Sequence, residues 1–221
     1  MPIITVSREI GAGGTYISLK LAEALSCTCV DKEIIHEIGK KMGKNQEELT
    51  DFDQDTYSRI SVFFQEALAS IAKGGRVFHT FGMGPLDWEG VDLFHPYPIG
   101  DYEHDEYIDV LKGVVTELAQ KGNVVLLGRG CQRILKDAPH AFHLRIVADH
   151  ADRLARIMDE QKLDTAKAEA LITQRDQSAR SFLLDFFDVD WADPHLYHLT
   201  LNTSKVSPDD CVKQALQLIK S

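Results

Sequence analysis

Short apolar runs alternate along this chain with segments whose apolar residues recur every three or four positions. The runs at 2–6, 27–30, 123–127, 141–147 and 198–202 have strand length, and helical spacing between them predicts an α/β protein with a parallel sheet. In the first predicted helix, about 14–25, Ile17, Leu21, Ala24 and Leu25 share one face. A helix at about 150–161 turns Leu154, Ile157 and Met158 inward, which leaves Arg153 and Arg156 free on another part of the surface. The last helix has Ser207 as N-cap, Pro208 at its first position, Asp209 and Asp210 at the positive end of the dipole, and a stripe of Val212, Ala215, Leu216 and Ile219.

The middle breaks this rhythm. Helical patterns at Lys32–Met42, Asp55–Lys73 and Asp105–Gln120 surround "HTFGMGPLDWEGVDLFHPYPIGDY", a mixture of turn residues and aromatics. So long a stretch between two strands exceeds an ordinary connection and predicts a substrate-covering subdomain or a contact surface.

Composition narrows the class. With 221 residues, 44% hydrophobic and 26% charged, the chain can bury one good core and add a small subdomain. A net charge of -10 argues against holding nucleic acid by bulk phosphate attraction. Positive charge is nonetheless concentrated, because Arg129, Arg133, Arg145, Arg153, Arg156, Arg175 and Arg180 fall within about fifty residues. No run approaches the roughly 18 apolar residues of a membrane span, and no basic region precedes an apolar signal core, so a cytoplasmic protein with no membrane partner is expected. The four cysteines match neither a disulfide framework nor a zinc spacing and are expected as reduced thiols. The pairs His140/His143 and His195/His198 have metal-like spacing but no evident carboxylate partner, which predicts surface or packing roles.

The chemistry concentrates in "SREIGAGGTYIS", residues 7–18, between a strand and a helix. Glycines there free successive backbone N–H groups to converge on phosphate oxygens at a helix N-terminus. Against the pattern G-x-x-x-x-G-K-[ST], aligned on Gly13, the chain has Arg8 at the first glycine, Gly14 at the lysine and Thr15 at the magnesium-binding hydroxyl. Arg8 is the candidate for the displaced positive charge, with planar contacts that lysine does not make. Asp31 and Arg129, in "CVDKEII" and "VVLLGRGCQRIL", fall at the carboxyl edge of the predicted sheet, where ligands of open α/β sheets sit. Arginines after the fourth predicted strand suit phosphoryl transfer, which depends on positioning and charge neutralisation.

"SREIGAGG", "VDKEII", "NVVLLGRG" and the tail "VDWADPHLYHLTLNTSKVSP" together resemble the cytidylate-kinase-like family of P-loop proteins, relatives of bacterial CMP kinase among the nucleoside monophosphate kinases. The resemblance implies a P-loop NTPase-like, doubly wound sheet of about five parallel strands with helices on both faces. It implies a single kinase-like domain over 1–221, with a helical acceptor-binding insertion at 32–120 and a lid at approximately 160–190. ATP is the implied donor, Mg2+ the counter-ion and a pyrimidine nucleoside monophosphate such as CMP the acceptor. By position, Gly11, Ala12, Gly13, Gly14 and Thr15 correspond to the donor-phosphate loop, Thr15 also to the metal ligand, and Asp31, Arg129 and Arg153 to the acceptor side. Arg8, Arg129, Arg175 and Arg180 are the implied catalytic cations. Two departures stand out: no loop lysine, and Gly130 where CMP kinases have an aspartate. They leave two expectations, a small-molecule kinase or a nucleotide-binding regulatory module that has lost transfer, the latter meeting a partner protein or a second copy through the aromatic insertion.

Overall fold

The computed structural model describes residues 1–31 and 104–220. The helical patterns at Lys32–Met42 and Asp55–Lys73 and the aromatic insertion lie outside the described residues. The chain divides into two compact units, Met1–Lys32 with Val115–Ser221, and Glu33–Val114. The architecture below is that of the first unit.

Its elements run β1 (Ile3–Arg8), α1 (Gly14–Leu25), β2 (Thr28–Val30), α2 (His104–Lys121, entering this unit at Val115), β3 (Val124–Leu127), α3 (Cys131–Ile134), β4 (Ala141–Val147), α4 (His150–Gln161), α5 (Thr165–Phe187), a 3-10 turn at Pro194–Leu196, β5 (Leu199–Asn202) and α6 (Pro208–Ile219). The strands form one parallel sheet in the order β2-β3-β1-β4-β5. The order reverses beside β1, so its carboxyl end opens at the point where α/β sheets take ligands. All five predicted strands are present. β1 extends two residues further than its apolar run, through Ser7 and Arg8, because both pair with Arg145 and Ile146 of β4.

Alternation along the strands sorts the two faces. Ile4, Val6, Val125, Leu127, Leu144 and Ile146 pack with Ile17 and Leu21 of α1 and Cys211, Val212 and Ala215 of α6 in one buried cluster. At roughly 25 cal/mol per Å2 of apolar surface, this layer supplies most of the driving force for folding. The other face of β1 and β4 carries Thr5, Ser7, His143 and Arg145, all buried and polar. Ser207 caps α6 as expected, its side chain accepting from the Asp210 N–H, with Pro208 at the first position. α5 is a single 23-residue helix capped by Asp164, whose carboxylate accepts from the Lys167 N–H.

The polar face is satisfied internally. Thr5 Oγ1 lies 2.9 Å from His143 Nδ1, and the His143 N–H donates to His198 Nδ1 at 3.0 Å. His143 and His198 pack against each other with ring centroids 4.9 Å apart and planes tilted by 43°. His195 does have a carboxylate neighbour, Asp193 at 2.7 Å, within an exposed turn. Among the described residues no group of three or more side chains could hold a metal ion.

Burial, with His198 beside it, pushes His143 down to about 4. Its folded-state pKa is below the ordinary value, so the unfolded chain takes up the proton first and stability falls as pH drops from about 6.5 towards 4, by on the order of 1–3 kcal/mol. Urea midpoints measured across that window should fall more steeply for the unmodified protein than for His143→Gln.

Candidate active site

The loop Glu9–Gly13 leaves the central strand and enters α1 through Gly13, whose φ of 76° is left-handed. An ideal Cβ on Gly13 would meet nothing within 4 Å, so the backbone there faces open space. Gly11 is constrained twice, by a φ of +75° and by the Arg153 carbonyl oxygen 2.9 Å from where a Cβ would stand.

The carbonyl oxygens of the loop are engaged one after another. Arg153 Nε donates to the Ile10 oxygen at 2.7 Å, Arg156 to the Gly11 oxygen at 3.1 Å, and Thr203 Oγ1 to the Ala12 oxygen at 2.9 Å. Ile17 N–H takes the Gly13 oxygen at 3.1 Å. The amides of Gly11, Gly13, Gly14 and Thr15 have no acceptor among the described residues, nor does the Thr15 hydroxyl donate or accept there. Free N–H groups at the first turn of a helix, next to a left-handed glycine, form an anion-binding concavity.

Arg153 and Arg156 therefore correct the sequence reading, which left both free on the surface. Arg153 is 4% exposed, lies one turn before Ile157 on the same inward stripe, and has its charge met by Glu9 at 3.4 Å and Asp176 at 2.7 Å. Apolar periodicity assigns inward positions only to apolar residues, and so it passes over an arginine whose partners come from the loop.

Arg8 occupies the space that a lysine would need. A Cβ on Gly14 would come within 2.5 Å of Arg8 Cβ and 2.9 Å of its Cγ. The Arg8 stem thus lies directly over the lysine position, and its Nη2 reaches both carboxylate oxygens of Asp31, at 3.2 and 3.3 Å. Nε and Nη1 of Arg8 have no partner among the described residues. The loop, Arg8 and Asp31 come together as one cluster.

The remaining predicted residues stand apart from it. Arg129 sits in left-handed backbone (φ 53°) between Gly128 and Gly130, which share that conformation. Its guanidinium lies 5.9 Å from the centroid of the Phe182 ring, and its Nε is buried with no hydrogen-bond partner among the described residues. Gly130 is closed to any side chain, because a Cβ would stand 2.7 Å from the Phe187 ring. Arg175 and Arg180 are exposed on α5 with no ion pair among the described residues. Cys131 beside this turn is fully buried, and burial pushes its thiol up to about 12, which removes it as a nucleophile at neutral pH.

Sequence reasoning passed over Glu9 and Arg145. Glu9 accepts from the Ala148 N–H at 3.2 Å and lies within 3.7 Å of Arg145. Arg145 donates to the Trp191 carbonyl and stacks 4.7 Å from the Trp191 ring, while Trp191 Nε1 donates to Ser7 Oγ at 2.7 Å. The only available signal for Glu9 was its place inside the glycine loop, one residue after Arg8.

A strand, a glycine loop and a helix at the central strand of a parallel five-stranded sheet define a P-loop kinase-like α/β protein. The chain belongs to the cytidylate kinase-like family, whose model matches residues 3–205. It is similar to the cytidylate kinases of Pyrobaculum islandicum, 27% identical over 59% of this chain and 70% of that protein, and Pyrobaculum calidifontis, 29% identical over the same shares. An uncharacterized protein of Eubacterium ventriosum shares the fold at 18% identity, with a TM-score of 0.67 over 100% of this chain and 99% of that one. Among the described residues no helix is long and apolar enough to cross a membrane.

Gly14→Ala should lower stability by about 1–3 kcal/mol, because the new methyl overlaps the Arg8 stem. The same substitution in an Arg8→Gly background should cost much less, and a double-mutant cycle by denaturant titration measures that coupling.

Proposed function

We propose that this protein is a nucleotide-dependent phosphotransferase of the cytosol that moves a phosphoryl group from ATP to a small phosphorylated acceptor, with a pyrimidine nucleoside monophosphate such as CMP as the leading candidate. The carrying observation is the set of unpartnered amides at Gly11, Gly13, Gly14 and Thr15, which lie on the loop that Arg8 borders. ATP, when bound, supplies the phosphoryl group. Gly11, Ala12, Gly13, Gly14 and Thr15 would cradle its phosphates through backbone N–H groups, and the Thr15 hydroxyl would hold Mg2+.

Arg8 takes the part of the absent lysine. Asp31 fixes its guanidinium through Nη2, which leaves Nε and Nη1 to face phosphate oxygens in a planar pair. Arg129 is offered to the acceptor phosphate, its buried and unpartnered Nε being a donor that an anion would satisfy. Arg175 and Arg180 would neutralise charge on the transferring group from α5. Gly130 denies the acceptor the carboxylate that CMP kinases offer there, so the acceptor is read by other groups.

The Arg8–Asp31 ion pair also favours a second reading, a regulatory module that binds nucleotide without transferring phosphate. An arginine committed to a carboxylate is less able to follow a migrating phosphoryl group than a mobile lysine.

Isothermal titration should show Mg-ATP binding weakened tenfold or more by Arg8→Ala and CMP binding weakened similarly by Arg129→Ala, with the fold intact by circular dichroism. Turnover in a coupled assay across nucleoside monophosphates then separates the two readings: ATP binding without turnover points to the regulatory one. An unmodified protein that binds neither nucleotide overturns both.

A further inference from the structure

Arg153 is a buried charged side chain that joins several elements beside the loop. Nε donates to the Ile10 carbonyl at 2.7 Å, Nη2 donates to Asp176 Oδ2 at 2.7 Å, and Nη1 forms an ion pair with Glu9 Oε2 at 3.4 Å. Its side chain is 5% exposed, against 15% for Glu9 and 19% for Asp176. The guanidinium of α4 therefore joins the loop to α5. With every nitrogen directed at a protein group the guanidinium is fixed in place, while two of its five N–H donors stay uncommitted to these partners.

Glu9 closes the other side of the joint. Besides Arg153 it faces Arg145 at 3.7 Å and accepts from the Ala148 N–H at 3.2 Å, at the end of β4. The Glu9 N–H in turn donates to the Ile146 oxygen at 3.0 Å. Loop, strand end and helix are thus held through one desolvated group of alternating charge, where a removed partner leaves a buried charge uncompensated.

The position of Asp176 gives the joint a functional direction. It follows Arg175 and precedes Arg180 by four residues in the unbroken helix α5. At 1.5 Å per residue, a helix pinned at Asp176 fixes Arg180 about 6 Å further along and Arg175 next to the pin. We infer that Arg153, held between Glu9 and Asp176, is a positioning residue that sets the height of Arg175 and Arg180 relative to the phosphate loop. This rests on the phosphotransferase reading for its effect on turnover, while the tie itself is a property of the nucleotide-free protein.

Two variants of the full chain test it, Asp176→Asn and Arg153→Lys, with Gln177→Ala as an exposed control on the same helix. Amide exchange followed by NMR without nucleotide should rise tenfold or more at Glu9, Ala12 and Ala148, whose N–H groups are bonded at the joint, and should stay unchanged in the control. In the coupled assay Asp176→Asn should lower kcat tenfold or more while moving KM for Mg-ATP less than threefold, a split that general destabilisation does not produce. Unchanged exchange at those amides, or an equal rise across β1, β3 and β4, overturns the inference, as does full kcat in Asp176→Asn. If the unmodified protein binds no nucleotide, the phosphotransferase reading fails, and the exchange comparison still decides whether Arg153 ties the loop to α5.

Discussion

The carbonyl oxygens of the glycine loop are taken by donors from α4 and from the end of β5, which holds the peptide planes with their N–H groups directed elsewhere. Arg153, Arg156 and Thr203 hold the oxygens of Ile10, Gly11 and Ala12, and the peptide planes then have little freedom to turn. Most of the organisation around the carboxyl end of β1 follows from that constraint. Glu9 has to be buried to balance Arg153 and Arg145, and Gly11 has to be glycine because the Arg153 backbone lies against it.

The lysine-free loop is crowded in a second way. Arg8, the last residue of β1, lays its stem across Gly14, so a side chain at Gly14 would collide with it. Asp31 then holds the guanidinium from the neighbouring side of the sheet. An arginine paired in this way is a fixed electrostatic element.

Beneath the site, the polar face of β1 and β4 carries a second network, Ser7, Trp191, Tyr197 and Arg145, that anchors the tail segment to the strands. Tyr197 donates to the Trp191 carbonyl, which Arg145 also approaches. Aromatic rings over a buried guanidinium compensate for part of its lost hydration. The tail is therefore structural, and it steadies the arginine that Glu9 depends on.

Across the described residues the sequence by itself determined the order of the five strands and of the helices around them, because apolar periodicity, the Ser207-Pro208 helix start and the glycine loop are local signals read within a dozen residues. It also located the glycine turn that leads into α1, since the need for left-handed glycines before a helix is a backbone property. Only the tertiary structure decided the partners: that Arg153 and Arg156 turn inward to loop carbonyls, that Arg8 pairs with Asp31, and that His143 meets His198. Those contacts join residues 23 to 145 positions apart, and no local pattern specifies which distant acceptor a charged side chain will find. The outcome is set by the sheet order β2-β3-β1-β4-β5, which brings the ends of β1, β4 and β5 side by side.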